Sequence, residues 1–200
     1  MADTIVIATQ NEGKAAEYRK RFATLGIKVL TLKDFPGVTM PPENGSSFAE
    51  NAQIKADALA KTVELPIIAD DSGLQVDSLN GAPGIHSARY AGNHDDEANN
   101  RKLLAAMDKV PDDERTANFH TTIVAVKPNG KRLFVSGDVR GTILREERGK
   151  DGFGYDPLFY VSSKKKTFAQ LSIDEKNEIS HRGRALDSLM EQFPIWWRED

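Results

Sequence analysis

The sequence predicts an α/β protein with a mixed β-sheet, and three features predict it. Short β-branched runs alternate with helix-periodic segments in the first third of the chain. Two long strand-like runs meet at Pro128-Asn129-Gly130-Lys131, and apolar residues recur at helical spacing near the C-terminus. βα units followed by a hairpin imply parallel strands first and an antiparallel portion later.

The elements read in order as follows. Thr4 to Thr9 is a first strand, within a start (Met1 to Ala8) whose apolar run is too short for a signal peptide or a membrane span. Gln10-Asn11-Glu12-Gly13 is a polar turn into a helix carrying Ala15, Tyr18, Phe22 and Leu25 on one side. A second strand lies near Val29-Leu30, and Pro36-Gly37 and Pro41-Pro42 mark an irregular loop that carries Glu43. Ser47-Phe48-Ala49-Glu50 reads as a capping box for a helix through Ala52, Ala56, Leu59 and Ala60, closed by Pro66.

Ile67-Ile68-Ala69 is a short buried strand expected to end in an acidic turn, Asp70-Asp71-Ser72-Gly73. A loop opens at Gly81-Ala82-Pro83-Gly84, and a helix runs from about Asp95 to Lys109 with Leu103, Leu104 and Met107 inward. Thr116 to Val126 and Arg132 to Val139 are the hairpin strands. Asp151 to Pro157 is a loop dense in glycine and aromatics, and the last helix packs through Leu186, Leu189, Met190 and Phe193. The 200 residues are expected to form a single domain without separable linkers.

Composition narrows the function. A net charge of −3, with Lys164-Lys165-Lys166 as the strongest basic run, disfavours nucleic-acid and anionic-membrane binding, which need clustered cations. The absence of cysteine removes disulfides and thiolate metal sites and fits a reducing cytoplasm. His86, His94 and His120 have no metal-like spacing.

Several groups of residues could carry chemistry. Thr9-Gln10-Asn11-Glu12-Gly13-Lys14 sits where a strand hands over to a helix, so backbone N–H groups, the helix dipole and Lys14 would face an anion; a plain capped helix start is the competing reading. Asp70 and Asp71 are adjacent carboxylates at a strand end, tolerated best beside a cation; an Asx-turn is the alternative. Strand neighbours point to opposite faces, so one Asp would meet a metal or water and the other brace the turn. Asn51 and Lys55 share one helix face with Glu50 nearby, which would look into a cleft or into solvent. Phe153-Gly154-Tyr155-Asp156 offers an aromatic surface beside glycines, suited to stacking on a nucleobase. Lys176, Ser180, His181 and Arg182 concentrate cations before the last helix. A continuous helix would set Lys176 and His181 about 140° apart, so either the chain breaks near Ser180, with Ser180 as a new N-cap, or the two grip different ends of a ligand.

Taken together, the blocks Thr9-x-Asn11-x-x-Lys14, Phe48-x-Glu50-Asn51-Ala52-x-x-Lys55-Ala56, Asp70-Asp71-Ser72-Gly73, Gly84-Ile85-x-Ser87-Ala88-Arg89-Tyr90, Gly152 to Pro157 and Ile179-Ser180-His181-Arg182-Gly183 resemble the inosine triphosphate pyrophosphatase family over nearly the whole chain. The resemblance implies an elongated mixed sheet with flanking helices forming two lobes around a central cleft, a homodimer, and Mg²⁺-dependent hydrolysis of deaminated purine nucleoside triphosphates (ITP, dITP, XTP) to the monophosphate and pyrophosphate. It implies that Thr9, Gln10, Asn11, Glu12, Gly13 and Lys14 hold phosphates, that Asp71 is general base and metal ligand with Glu43 as second ligand, and that Ser72 touches substrate. Phe153, Gly154, Tyr155 and Asp156 would enclose the base, with Lys176, His181 and Arg182 on its polar edge or on the sugar and phosphates. Lys14 and Lys55, with Asp70, would complete the catalytic set, because phosphoryl transfer depends on charge neutralisation and in-line positioning. Two positions depart from the family pattern: Asn44 where Thr is common, and His86 where Tyr is usual. A pyrophosphatase for pyrimidine or modified nucleotides, and a nucleotide sensor without turnover, are the competing functions.

Overall fold

The computed structural model describes residues 3–92 and 94–199. Met1 and Ala2, at the start of the first-strand reading, lie outside them. The strands are β1 (Thr4–Ile7), β2 (Lys28–Thr31), β3 (Ile67–Val76), β4 (Thr116–Val126), β5 (Arg132–Ile143), β6 (Phe159–Val161) and β7 (Lys166–Thr167). The α-helices are α1 (Glu12–Ala23), α2 (Phe48–Ala60), α3 (Asp96–Ala106), α4 (Ile173–Ile179) and α5 (His181–Arg198). The strands form one seven-stranded sheet in the order β2-β1-β3-β4-β5-β6-β7. β1 pairs in parallel with β2 and β3, whereas β6 pairs antiparallel with β5 and β7, so the sheet is mixed as expected. Lys127 N–H donates to Lys131 C=O across the β4–β5 turn, with Gly130 at φ +86°. No helix among the described residues is long and apolar enough to cross a membrane.

The chain forms two compact units: residues 1–71, 122–136 and 185–200 make the first, and residues 72–121 and 137–184 the second. β3 passes from the first to the second between Asp71 and Ser72.

In the first unit, strand alternation sorts side chains between two helical layers. Ile5, Ile7, Ile68, Ile123 and Ala125 pack against Tyr18 and Phe22 of α1 and Leu186, Leu189, Phe193 and Trp196 of α5. Their strand neighbours Val6, Ile67, Ala69, Val124 and Val126 pack against Ala52, Ala56 and Leu59 of α2. A period of two along each strand produces this division and explains why these strands are apolar throughout. Trp196 is buried, and both it and Trp197 lie against Phe193, at ring-centroid distances of 5.4 and 5.1 Å.

In the second unit, Leu74 and Val76 of β3, Ala117 and Phe119 of β4, and Val139 and Ile143 of β5 pack with Leu103 of α3, with Met107 at its C-cap, and with Tyr155, Phe159 and Phe168. The buried Arg115 guanidinium donates to the carbonyls of Met107, Ile143 and Leu144, tying the end of α3 to the strands.

Several local expectations change. β3 runs ten residues straight through Asp70-Asp71-Ser72-Gly73, so the acidic turn is instead the middle of a strand. An isolated apolar triplet gave no reason to extend it; β1 pairs with β3 at Ile67 and Ile68, and β3 continues past them through the polar stretch with β4 as its neighbour on the other side. The capping box at Ser47 is half made: Ser47 Oγ accepts the Glu50 N–H, but Glu50 reaches one residue further back, to the N–H and hydroxyl of Ser46. Leu25 lies beyond the end of α1 and Ala60 on the outer side of α2, and both are exposed. β5 extends four residues past Val139. α4 ends at Ile179 and α5 begins at His181, with the extended Ser180 between them and its Oγ accepting the Gly183 N–H at 3.1 Å; the break expected near Ser180 is present.

Candidate active site

In the first unit, parity along β3 decides what each acidic side chain meets. Asp70 shares the face of Ile68, on the side of α1, and Asp71 shares that of Ala69, on the side of α2. Lys14 Nζ, in the first turn of α1, lies 2.7 Å from Asp70 Oδ2, whose side chain is 2% exposed. Asp71 meets α2: Asn51 Nδ2 donates to its Oδ2 at 3.1 Å, and Lys55 Nζ stands 3.6 Å from its Oδ1. The same ammonium is 2.9 Å from Glu43 Oε1. Asn51 and Lys55 are four residues apart, so one helix face presents both.

Asn51 is fully buried and its carbonyl oxygen accepts the Gly45 N–H at 2.9 Å, which fastens the Glu43 loop to α2. A Cβ on Gly45 would lie 2.8 Å from Asn51 Oδ1, so the close approach requires glycine there.

The electrostatics follow from three carboxylates sharing two lysines. Burial is the largest influence on Asp71 and raises its pKa; Glu43 and Asp70 raise it too, and together they outweigh the opposing pull of Lys55 and Asn51. Burial opposes the charge on Lys55, but Asp70, Asp71 and Glu43 more than offset it and hold the ammonium above its ordinary value. A further cation would relieve the excess of negative charge. Glu43 and Asp71 are the hard oxygen donors available, and two carboxylates with substrate phosphate oxygens are a set that Mg²⁺ accepts. Among the described residues, no three His, Cys, Asp or Glu side chains gather as a metal-binding group.

The turn into α1 is a helix start capped by side chains. Asn11 caps it by accepting the Lys14 N–H, and Thr9 Oγ1 accepts the Asn11 N–H, both at 3.1 Å. A Cβ on Gly13 would come within 3.1 Å of the capping oxygen. Thr9 is buried and Gln10 is exposed. Glu12 turns to the surface, where it pairs with Arg19 and Lys33.

In the second unit, a cavity of about 120 Å³ is lined by Ser72, Phe119, the Phe153–Asp156 loop, Lys176, His181 and Arg182. Gly152 and Gly154 have φ of +84° and +61°, and between them Phe153 presents a half-exposed ring. Asp156 is buried; its Oδ2 accepts from Lys176 Nζ and, at 2.9 Å, from the Phe153 N–H. Lys176 Nζ lies 4.7 Å from the Phe153 ring centroid and Arg182 Cζ 5.8 Å from it, so cations surround an aromatic face. His181 stacks on Phe119 at 4.8 Å with the planes 10° apart. Ser72 and Thr121 hydroxyls share a hydrogen bond of 2.7 Å. Tyr155 OH donates to the Ser87 carbonyl at 2.8 Å, and burial raises its pKa, so it stays a neutral donor.

Sequence reasoning grouped Lys14 with Asp70 and Asp71, and Phe153, Tyr155 and Asp156 with Lys176, His181 and Arg182; the structure pairs Lys14 with Asp70 while Asp71 turns to Asn51 and Lys55, and it brings the second group together around one cavity. Glu50 is not part of the carboxylate cluster, since Ser46 holds it. Asn51 was legible as a helix position sharing a face with Lys55 and as part of a family block, but not for its partners, and Phe119 and Thr121 had no local signal. Their roles depend on partners far along the chain.

The fold and these two sets of residues define an α/β protein with a lysine–carboxylate cluster and an aromatic, cation-lined pocket. A sequence profile of the Ham1 family matches residues 5–192, and the chain belongs to that family. It is 53% identical over 194 residues to the dITP/XTP pyrophosphatase of Lactiplantibacillus plantarum, covering 97% of this chain and 96% of the relative. The dITP/XTP pyrophosphatase of Lactobacillus acidophilus is 52% identical over 199 residues, covering 97% and 98%. A HAM1 protein structure from Coxiella burnetii superposes with a TM-score of 0.90 at 45% identity, covering 96% of this chain and 98% of that one.

Proposed function

We propose that this protein hydrolyses deaminated purine nucleoside triphosphates, dITP, ITP and XTP, to the monophosphate and pyrophosphate, with Mg²⁺ as cofactor. The observation that carries the reading is the buried Asp71, held by Asn51 and Lys55 beside Glu43, in a chain about half identical to two dITP/XTP pyrophosphatases.

In this reading Asp71 takes a proton from water as the water oxygen bonds to the α-phosphorus. The bond from that phosphorus to the bridging oxygen breaks, and pyrophosphate leaves. A carboxylate whose pKa is raised by burial accepts a proton more readily than an ordinary one. Lys14, Lys55 and the Thr9-to-Lys14 turn would neutralise phosphate charge, and Asp70 would orient Lys14. Glu43 and Asp71 would hold the Mg²⁺, which when bound supplies further neutralisation of the phosphate oxygens.

Phe153 would stack on the base, with Gly154, Tyr155 and Asp156 shaping the pocket and Ser72 touching the substrate. Lys176, His181 and Arg182 would address polar edges. Donors directed at a 6-keto oxygen meet adenine's 6-amino group donor against donor. A site of that kind discriminates by about 10⁴-fold, whereas shape alone gives roughly 10².

The 200 residues would act as one functional domain, as a homodimer in the cytoplasm; light scattering tests the assembly. The activity is tested by incubating the protein with ITP, XTP, dITP, ATP, GTP and pyrimidine triphosphates, with and without Mg²⁺, and identifying the products. Pyrophosphate and monophosphate from the deaminated purines are the expected result. Equal turnover of ATP and GTP, preference for pyrimidines, or binding without turnover would overturn the reading.

A further inference from the structure

The Phe153 ring that faces the pocket is half exposed, so apolar packing does little to fix it. Lys176 and Arg182 lie over its face, and the backbone that carries it is a loop with two left-handed glycines and no strand ladder. That backbone is held from α3. The Gly154 N–H donates to Asp96 Oδ2 at 2.7 Å, and the Gly154 carbonyl accepts from Asn100 Nδ2 at 3.2 Å. Asp96 and Asn100 are four residues apart, so one face of α3 grips both polar groups of a single residue. Asn100 Nδ2 also donates to Glu147 Oε1 at 2.9 Å, anchoring the amide from a third direction. On the other side of Phe153, its own N–H donates to Asp156. Both peptide units flanking the ring are thereby pinned.

We infer that Asp96 is a positioning residue for nucleobase binding: its carboxylate sets the Phe153–Gly154 peptide, and through it the ring on which the base stacks. This rests on the reading of the pocket as the base site. Asp96 is exposed and lies in the first turn of α3, where Asp95 supplies the cap, so its loss removes the clamp without opening a core. Asn100, buried at the same loop, is the less informative residue to change.

The test compares wild type, Asp96→Ala and Asp96→Asn by calorimetric titration with inosine and xanthosine monophosphates, alongside kcat and KM for XTP and thermal melting. Asp96→Ala is expected to weaken monophosphate binding about tenfold, the order of one charge-assisted hydrogen bond, and to raise KM far more than it lowers kcat. Asp96→Asn keeps an oxygen that accepts the Gly154 N–H and is expected to restore binding to near wild type. Wild-type affinity in Asp96→Ala, or an Asp96→Asn variant as weak as Asp96→Ala, overturns the inference while leaving the pocket's identity intact. A wild-type protein that binds neither monophosphate overturns the base-site reading and this inference with it.

Discussion

Asn51 joins two parts of the carboxylate site: its amide nitrogen donates to Asp71 Oδ2 at 3.1 Å while its carbonyl oxygen accepts the Gly45 N–H at 2.9 Å. One buried side chain thus fixes both the direction of the Asp71 lone pairs and the loop that brings Glu43 to Lys55. Asn51→Ala should lower kcat by on the order of 10²-fold, since a misplacement near 1 Å at a reacting group has that effect. KM should change much less. A pyrophosphate-release assay under saturating and limiting substrate checks the split.

Lys14 and the buried Asp70 form an ion pair at 2.7 Å, with the lysine side chain partly exposed. Lys14→Met removes one cation beside the buried Asp70 carboxylate and should cost up to about 3 kcal/mol. Adding Asp70→Asn removes the charge itself, so the double variant should recover much of the stability without recovering activity. Denaturant titration of both variants distinguishes a structural role for the pair from a role in the reaction.

Gly152 has φ +84°, and a Cβ there would lie 2.2 Å from Asp156 Oδ2. Gly152→Ala carries the left-handed backbone cost of about 1–2 kcal/mol. It must also displace Asp156 from Lys176 and from the Phe153 N–H. The melting temperature should fall by roughly 2–4 °C for each kcal/mol lost. KM should rise more than kcat falls, as measured with XTP.

Asp77 shows the pH dependence expected at the surface of the second unit. Its carboxylate accepts from the Thr116 hydroxyl at 2.6 Å and from both terminal nitrogens of Arg140, and these contacts hold its pKa below the ordinary 3.8. A depressed folded-state value contributes stability that is present above the unfolded pKa. That contribution is lost as pH falls below about 4 and through the lower folded value. Asp77→Asn should therefore narrow the stability difference between pH 6 and pH 3, with little effect on the trend above pH 6. Melting temperatures across that range provide the check.

The fold was legible where local periodicity and tertiary burial agree. Tyr18 and Phe22 of α1, Ala52 and Leu59 of α2, and the hairpin around Gly130 all follow from apolar spacing and turn chemistry. β3 was read too short because its middle, Asp70-Asp71-Ser72-Gly73, is polar and has the composition of a turn; the sheet overrode the local preference. Lys14, Asp71, Phe153 and Arg182 were legible as site candidates because charge or aromaticity sits beside glycine or at element ends. Asn51's two hydrogen bonds, and the Asp96 and Asn100 grip on Gly154, were not. A neutral amide or a first-turn acid looks the same in sequence whether it faces solvent or a loop 54 residues away.

The most direct test of the central claim is pyrophosphate release from XTP and dITP by wild type beside Asp71→Asn, in Mg²⁺, with both proteins shown to have the same melting temperature within a few degrees. The account predicts rapid release by wild type and loss of at least about 10³-fold in kcat in the variant, because an amide cannot accept the proton from the attacking water. A folded Asp71→Asn protein that retains wild-type turnover would contradict it.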